Sequence, residues 1–196
     1  MPQPEDRSAG RSALPPLAAE DHRCADCELS YPDITVERAV ASIRQIPTAA
    51  RVAALAVPVL KRGERPTPGT WSVTEYVCHL RDVYVTYTIR LHRARTEVRP
   101  QLEPMLNDLR ARRFRYNERD PSPVLDELAV CAAGFCEEIA RTRDWDRLVT
   151  RLPDEQRTAL WLVRQAMQEG AHHVRDIRAV GEAVAAVGTP THLPEP

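Results

Sequence analysis

Lysine is almost absent from this chain: Lys61 stands alone, and arginine supplies the rest of the 27 basic residues. An arginine- and alanine-rich, lysine-poor composition is what a GC-rich genome encodes. Glycine is scarce too, with seven in 196 residues, which leaves little room for loops that cradle nucleotide phosphates. No Gly-x-Ser-x-Gly elbow, His-Glu-x-x-His pair or nucleic-acid module is present. No stretch approaches the roughly 20 apolar residues of a membrane span. Asp, Glu, Arg and Pro interrupt the first thirty residues, so these hold no signal-peptide core. A net charge of −1 and a pI near 6.6 ask for neither nucleic acid nor an anionic membrane. The five cysteines are odd in number and scattered; that usage predicts free thiols in the reducing cytoplasm.

No run of alternating strand residues appears, and the periodicity that is present is helical. Val36 to Leu60 carries it, with Pro47 expected to divide it into a helix ending near Gln45 and a second running from Thr48 towards Leu60. Ser72-Val73-Thr74-Glu75 matches a capping box and opens a long amphipathic helix to about Arg95, with Tyr76, Leu80, Val83 and Tyr87 as its apolar stripe. A polar connection follows from Thr96 to Pro121, in which Arg110 to Arg115 reads as a solvated run. Ser122-Pro123 opens a third long helix, with Val124, Leu125, Leu128, Ala129, Ala132, Phe135 and Ile139 facing inward. The last runs from about Glu155 to Val184. The pattern predicts an all-α protein, a four-helix bundle with short extra helices. Residues 1–30, rich in proline and charge, read as a disordered tail holding a Cys-x-x-Cys; 31–186 form the bundle; 187–196 read as a second disordered tail.

Three separated residues carry the clearest chemistry. Glu169 and His173 are four apart and share a helix face; His79 lies at the margin of the stripe on another helix. Burying an unpaired imidazole or carboxylate is costly, and a divalent cation that accepts lone pairs from all three removes the cost. Two histidines and a carboxylate suit zinc first, with nickel, manganese or iron also compatible, and leave positions open for substrate. Asp82 and Asp176, three residues after His79 and His173, could orient the imidazoles. His172 points about 100° away from His173, as an exposed side chain or as an acid or base facing a substrate. Satisfied core groups without metal are the plainer alternative for all of these. Cys24-Ala25-Asp26-Cys27 could bind zinc if His22 or another chain supplied ligands, or could be a pair of free thiols.

The segments Trp71 to His79 (Trp-Ser-Val-x-Glu-x-x-x-His) and Glu169 to Ile177 (Glu-x-x-x-His-x-x-Asp-Ile) resemble the DinB/YfiT-like metalloenzyme superfamily over roughly residues 34 to 184. They are most similar to the branch holding the metal-binding domain of mycothiol-dependent maleylpyruvate isomerase. The resemblance implies an up-down-down-up bundle, often a homodimer, with one divalent metal at one end. Many members use three histidines, and that branch replaces the middle one with glutamate, the pattern of His79, Glu169 and His173. It also implies chemistry on a small-molecule substrate with a low-molecular-weight thiol such as mycothiol, by S-transfer or isomerisation, His172 or a nearby carboxylate moving protons. A non-catalytic stress-response or redox-sensing bundle that uses Cys24 and Cys27 is the alternative.

Overall fold

The computed structural model describes residues 15–151 and 155–186. Residues 1–14 of the first expected tail and the whole of the second, 187–196, lie outside the described residues. Thr35 caps α1 (Val36–Leu55), accepting the Arg38 amide at 3.2 Å. Ser72 and Glu75 form the expected capping box of α2 (Val73–Thr96), and Asp120 caps α4 (Pro121–Arg141) through the Ser122 amide. Between them lies α3 (Asn107–Arg113), within the stretch read as a plain connection. The longest helix, α5, spans Ala159–Ala186.

Pro47 does not divide α1. The ring removes one backbone donor, at a cost of about 3 kcal/mol in a helix interior. Ile43, Ile46, Ala50, Ala53 and Ala54 are buried on one continuous face across it, and burial at roughly 25 cal/mol per Å² outweighs one lost hydrogen bond. The helix stops at Leu55, and Leu60 falls in a separate three-residue 3-10 turn (Val59–Lys61), where it is 91% exposed. Ala129, expected inward, is exposed on α4.

Side-chain contacts fix the helix directions. Lys61, just past α1, donates to Val184 O near the end of α5 at 2.7 Å, while Tyr31, just before α1, meets Gln165 and Gln168 in the first half of α5. These two helices therefore run parallel. Arg81 pairs with Glu127 and Arg95 with Glu138, so α2 and α4 run parallel to one another. Arg51 late in α1 meets Asp126 early in α4, which makes those two antiparallel. The result is an up-down-down-up four-helix bundle. Trp161, Tyr84, Phe135, Leu80 and Leu125 fill its core. No described helix is long and apolar enough to cross a membrane.

Two parts depart from the sequence reading. A hairpin of β1 (Leu148–Thr150) and β2 (Gln156–Thr158) pairs Leu148 with Thr158 in antiparallel register and carries a parallel bridge from Gln101 to Thr150. Each strand has three residues, too few to display an alternation. Residues 15–30, expected in a disordered tail, lie against the bundle instead. Arg157 donates to the carbonyls of Leu17 and Ala18, Trp161 Nε1 to Ala18 O at 3.1 Å, and Thr158 N to Glu20. Each partner lies more than 130 residues away in sequence, so local composition carries no trace of the contact.

Candidate metal centre

His79, two turns into α2, is 3% exposed. Trp71 and His173 wall it in edge-to-face, with ring centroids 5.1 and 4.9 Å away. From α5, Glu169 and His173 project to the same point, as their four-residue spacing requires. One oxygen of Glu169, Oε2, lies 3.1 Å from His173 Nε2 and 3.7 Å from His79 Nε2. Ligand atoms of the three residues all fall within 4.8 Å of one another. The sequence-selected trio is thus brought together at one place.

Glu169 and His173 are each held from behind. Asp176 Oδ2 accepts from His173 Nδ1 at 2.8 Å, as its spacing suggested. Gln165 Nε2 donates to the other Glu169 oxygen at 2.6 Å, and the Tyr31 hydroxyl lies 2.5 Å from Gln165 Oε1. Tyr76 packs on His173 with centroids 5.2 Å apart. Asp82 does not perform the role expected of it. Its carboxylate is taken by Arg81, Arg110 and the Tyr116 hydroxyl, because α3 carries Arg110 inward rather than leaving it on a solvated loop. Tyr31, Gln165 and Tyr76 were missed by the sequence reading; only the position of Gln165, four before Glu169, offered a signal.

Close packing makes this convergence possible. A Cβ on Gly170 would stand 2.3 Å from both Ile46 Cδ1 and the Tyr84 hydroxyl oxygen. Glycine therefore lets α5 approach α1 and α2 beside the Glu169 turn.

The electrostatics show an unfinished arrangement. With Nδ1–H committed to Asp176, His173 Nε2 would face the Glu169 carboxylate lone pair to lone pair. A proton relieves that contact: burial opposes the charge, but Asp176 and Glu169 outweigh it and push His173 up to about 9. Burial raises Glu169, yet the hydrogen bond with His173 and the proximity of both imidazoles hold it far below the usual carboxylate range. Burial lowers His79 despite Glu169, so this imidazole stays neutral at pH 7. Protonating His173 still leaves His79 Nε2 buried with no hydrogen-bond partner. One divalent cation would satisfy Nε2 of both histidines and Glu169 Oε2 together, so the donor set fits a metal.

Above the trio lies a cavity of about 660 Å³, lined by Tyr87, Arg90, Gln168, Glu169, His172 and His173 among others. His172 is not brought to the trio. It turns to the N-terminal segment, where its Nδ1 is 3.9 Å from Cys24 Sγ. Cys24, Cys27 and His172 form a second group with ligand atoms within 4.8 Å of one another. His22, the companion expected for the cysteines, instead packs edge-on against Tyr31. All five cysteines are free.

The fold and this cluster define a helical bundle with two histidines and a carboxylate converging beneath a cavity. The chain belongs to the DinB superfamily, whose family model matches residues 26–177. In structure it is similar to YfiT from Bacillus subtilis, described as a probable metal-dependent hydrolase with an unusual four-helix bundle topology. The TM-score is 0.67 at 20% identity, covering 80% of this chain and 91% of that one. No curated protein matches the chain.

Proposed function

We propose that this protein is a metal-dependent enzyme in which His79, Glu169 and His173 hold one divalent cation at the floor of the cavity. The observation that carries the reading is His79 Nε2, buried without a partner and aimed at the carboxylate oxygen that His173 also faces. An orphaned buried acceptor costs about 1–3 kcal/mol, and a cation offsets it where no protein donor does. Zinc suits the donors first; nickel, manganese and iron accept the same set.

A cation held there supplies Lewis-acid polarisation and eases deprotonation of a nucleophile. The residues around it do the positioning. Asp176 fixes the tautomer and ring plane of His173. Gln165 and Tyr31 hold Glu169 so that a single oxygen faces both imidazoles. Arg90, stacked on Tyr87 at 5.0 Å and bonded to Glu103 O, gives the cavity a cationic wall suited to an anionic substrate group. The chemistry most in keeping with the family resemblance is thiol S-transfer or thiol-assisted isomerisation, with a low-molecular-weight thiol as nucleophile. Hydrolysis is the second reading, favoured by the likeness to YfiT. His172 has no proton-transfer role in this reading, since its Nδ1 faces the Cys24 sulfur.

The test is elemental analysis of untagged, chelator-free full chain beside His79→Ala. The parent should carry about one more metal ion per chain than the variant. Equal metal content in the two proteins would overturn the assignment.

A further inference from the structure

The second cluster lies outside the proposed reaction, and it has the composition of a metal site in its own right. Cys24 and Cys27 sit on a tight turn closed by the Cys24 N to Leu29 O hydrogen bond at 2.9 Å, with Glu28 in the left-handed region at φ 57°. The turn brings the two sulfurs and a nitrogen of His172 within 4.8 Å of one another. The nearby Arg175 spends its guanidinium on Asp26 O. Two thiolates this close repel each other unless a cation lies between them. From α5, 148 positions away in sequence, His172 brings Nδ1 to 3.9 Å from Cys24 Sγ.

These distances match a tetrahedral site. Zinc–sulfur bonds of about 2.3 Å and zinc–nitrogen bonds of about 2.0 Å place neighbouring S and N ligand atoms about 3.6 Å apart. The observed 3.9 Å lies within a small side-chain rotation of that edge, and all three ligand atoms fall within 4.8 Å of one another. A two-residue gap between cysteines is the ligand spacing that zinc turns use. No fourth His, Cys, Asp or Glu joins the group among the described residues, so the remaining position is left to solvent or a small ligand.

We propose that Cys24, Cys27 and His172 form a second zinc site, separate from the His79 trio, which clamps the N-terminal segment to α5 at the rim of the cavity. Thiolate donors select zinc over the harder divalent ions that the oxygen- and nitrogen-donor trio accepts. The proposal does not depend on the reading of the first site, because only this one contains sulfur.

The test is titration of reduced full chain with Co²⁺, followed by the near-ultraviolet thiolate-to-cobalt charge-transfer band. The parent should show the band and hold about two zinc ions per chain. Cys24→Ser/Cys27→Ser should lose the band and one zinc; His79→Ala should lose one zinc and keep the band. Absence of the band in the parent, or its persistence in the double cysteine variant, would overturn the proposal. Because the variant could be compromised in folding, alkylation of the unaltered chain is the second measurement. Zinc should protect Cys24 and Cys27 from iodoacetamide, and equal modification rates with and without zinc would overturn the proposal. An unchanged metal content in His79→Ala alongside an intact band would defeat the first reading only.

Discussion

Replacing His79 by leucine should change stability in opposite directions with and without metal. The side chain is 3% exposed, and its Nε2 has no hydrogen-bond partner in the metal-free chain. Leucine is of similar size, has no polar atom and faces the same apolar edges of Trp71 and the His173 ring. Removing an unsatisfied buried acceptor recovers about 1–3 kcal/mol, from which imperfect packing of the branched side chain subtracts up to about 1.5 kcal/mol. A net gain of about 1 kcal/mol raises the melting temperature of a domain this size by about 2–4 °C. In chelator, therefore, His79→Leu should melt at or above the parent. With zinc at a hundred times its dissociation constant, the parent should gain about 2.7 kcal/mol from the trio, equivalent to about 5–11 °C, and the variant should lack that increment. Any zinc bound at the thiol cluster stabilises both proteins, so the difference between their zinc-induced shifts isolates the trio.

Scanning calorimetry or dye-monitored melting, each with chelator and with excess zinc, supplies the four temperatures needed. A parent clearly more stable than His79→Leu in chelator would mean that the imidazole makes a stabilising contact of its own. Equal zinc shifts in the two proteins would mean that His79 is no ligand. Either result refutes the reasoning from the orphaned nitrogen, and the two failures are separable.

The other expectations are more local. Asp176→Ala frees His173 Nδ1 and should weaken metal affinity about 10–100-fold in competition with a chelating dye; an unchanged affinity would leave Asp176 no orienting role. Gly170→Ala puts a Cβ 2.3 Å from Ile46 Cδ1 and the Tyr84 hydroxyl. Overpacking of about 1–3 kcal/mol should exceed the gain of about 1 kcal/mol in helix propensity, so denaturant melts should show net destabilisation, and a stabilised variant would refute the close-approach argument. Asp82 is buried, which raises a carboxyl, but Tyr116, Arg110 and Arg81 outweigh that and hold it below its usual range. A depressed folded value means that its contribution is fully present above the unfolded value of about 4 and is lost as pH falls through the folded one. Acid unfolding of Asp82→Asn should accordingly show a shallower loss of stability below about pH 4 than the parent; identical profiles would place the acid sensitivity elsewhere.

The parts of this fold that were legible in the sequence are those encoded within one helical turn. Ser72 and Glu75 announce the start of α2 because both capping partners lie three residues apart. Glu169, His173 and Asp176 reveal a shared face because three- and four-residue steps define one. Pro47 misled for a physical reason: a local breaking tendency of a few kcal/mol was overridden by burial of Ile43, Ile46 and Ala50, visible only once α4 and α5 are in place. Asp82 misled in the same way, since its spacing from His79 was right but Arg110 and Tyr116 claimed it from another part of the chain.

Residues 15–31 look dispensable in composition, yet they reach both clusters. Tyr31, at the edge of this segment and fully buried, lies 2.5 Å from Gln165 Oε1, and Gln165 donates to Glu169. The same tyrosine lies 2.6 Å from Gln168, which lines the cavity beside His172. On α5 the adjacent residues His172 and His173 diverge by about 100° and so serve different clusters. Asp176 stands three residues from one and four from the other, at 2.8 Å from His173 Nδ1 and 3.8 Å from His172 Nε2. The N-terminal segment and the two clusters are thus physically linked: Tyr31 meets the glutamine that holds Glu169 on one side, and on the other Asp176 binds His173 while lying beside His172.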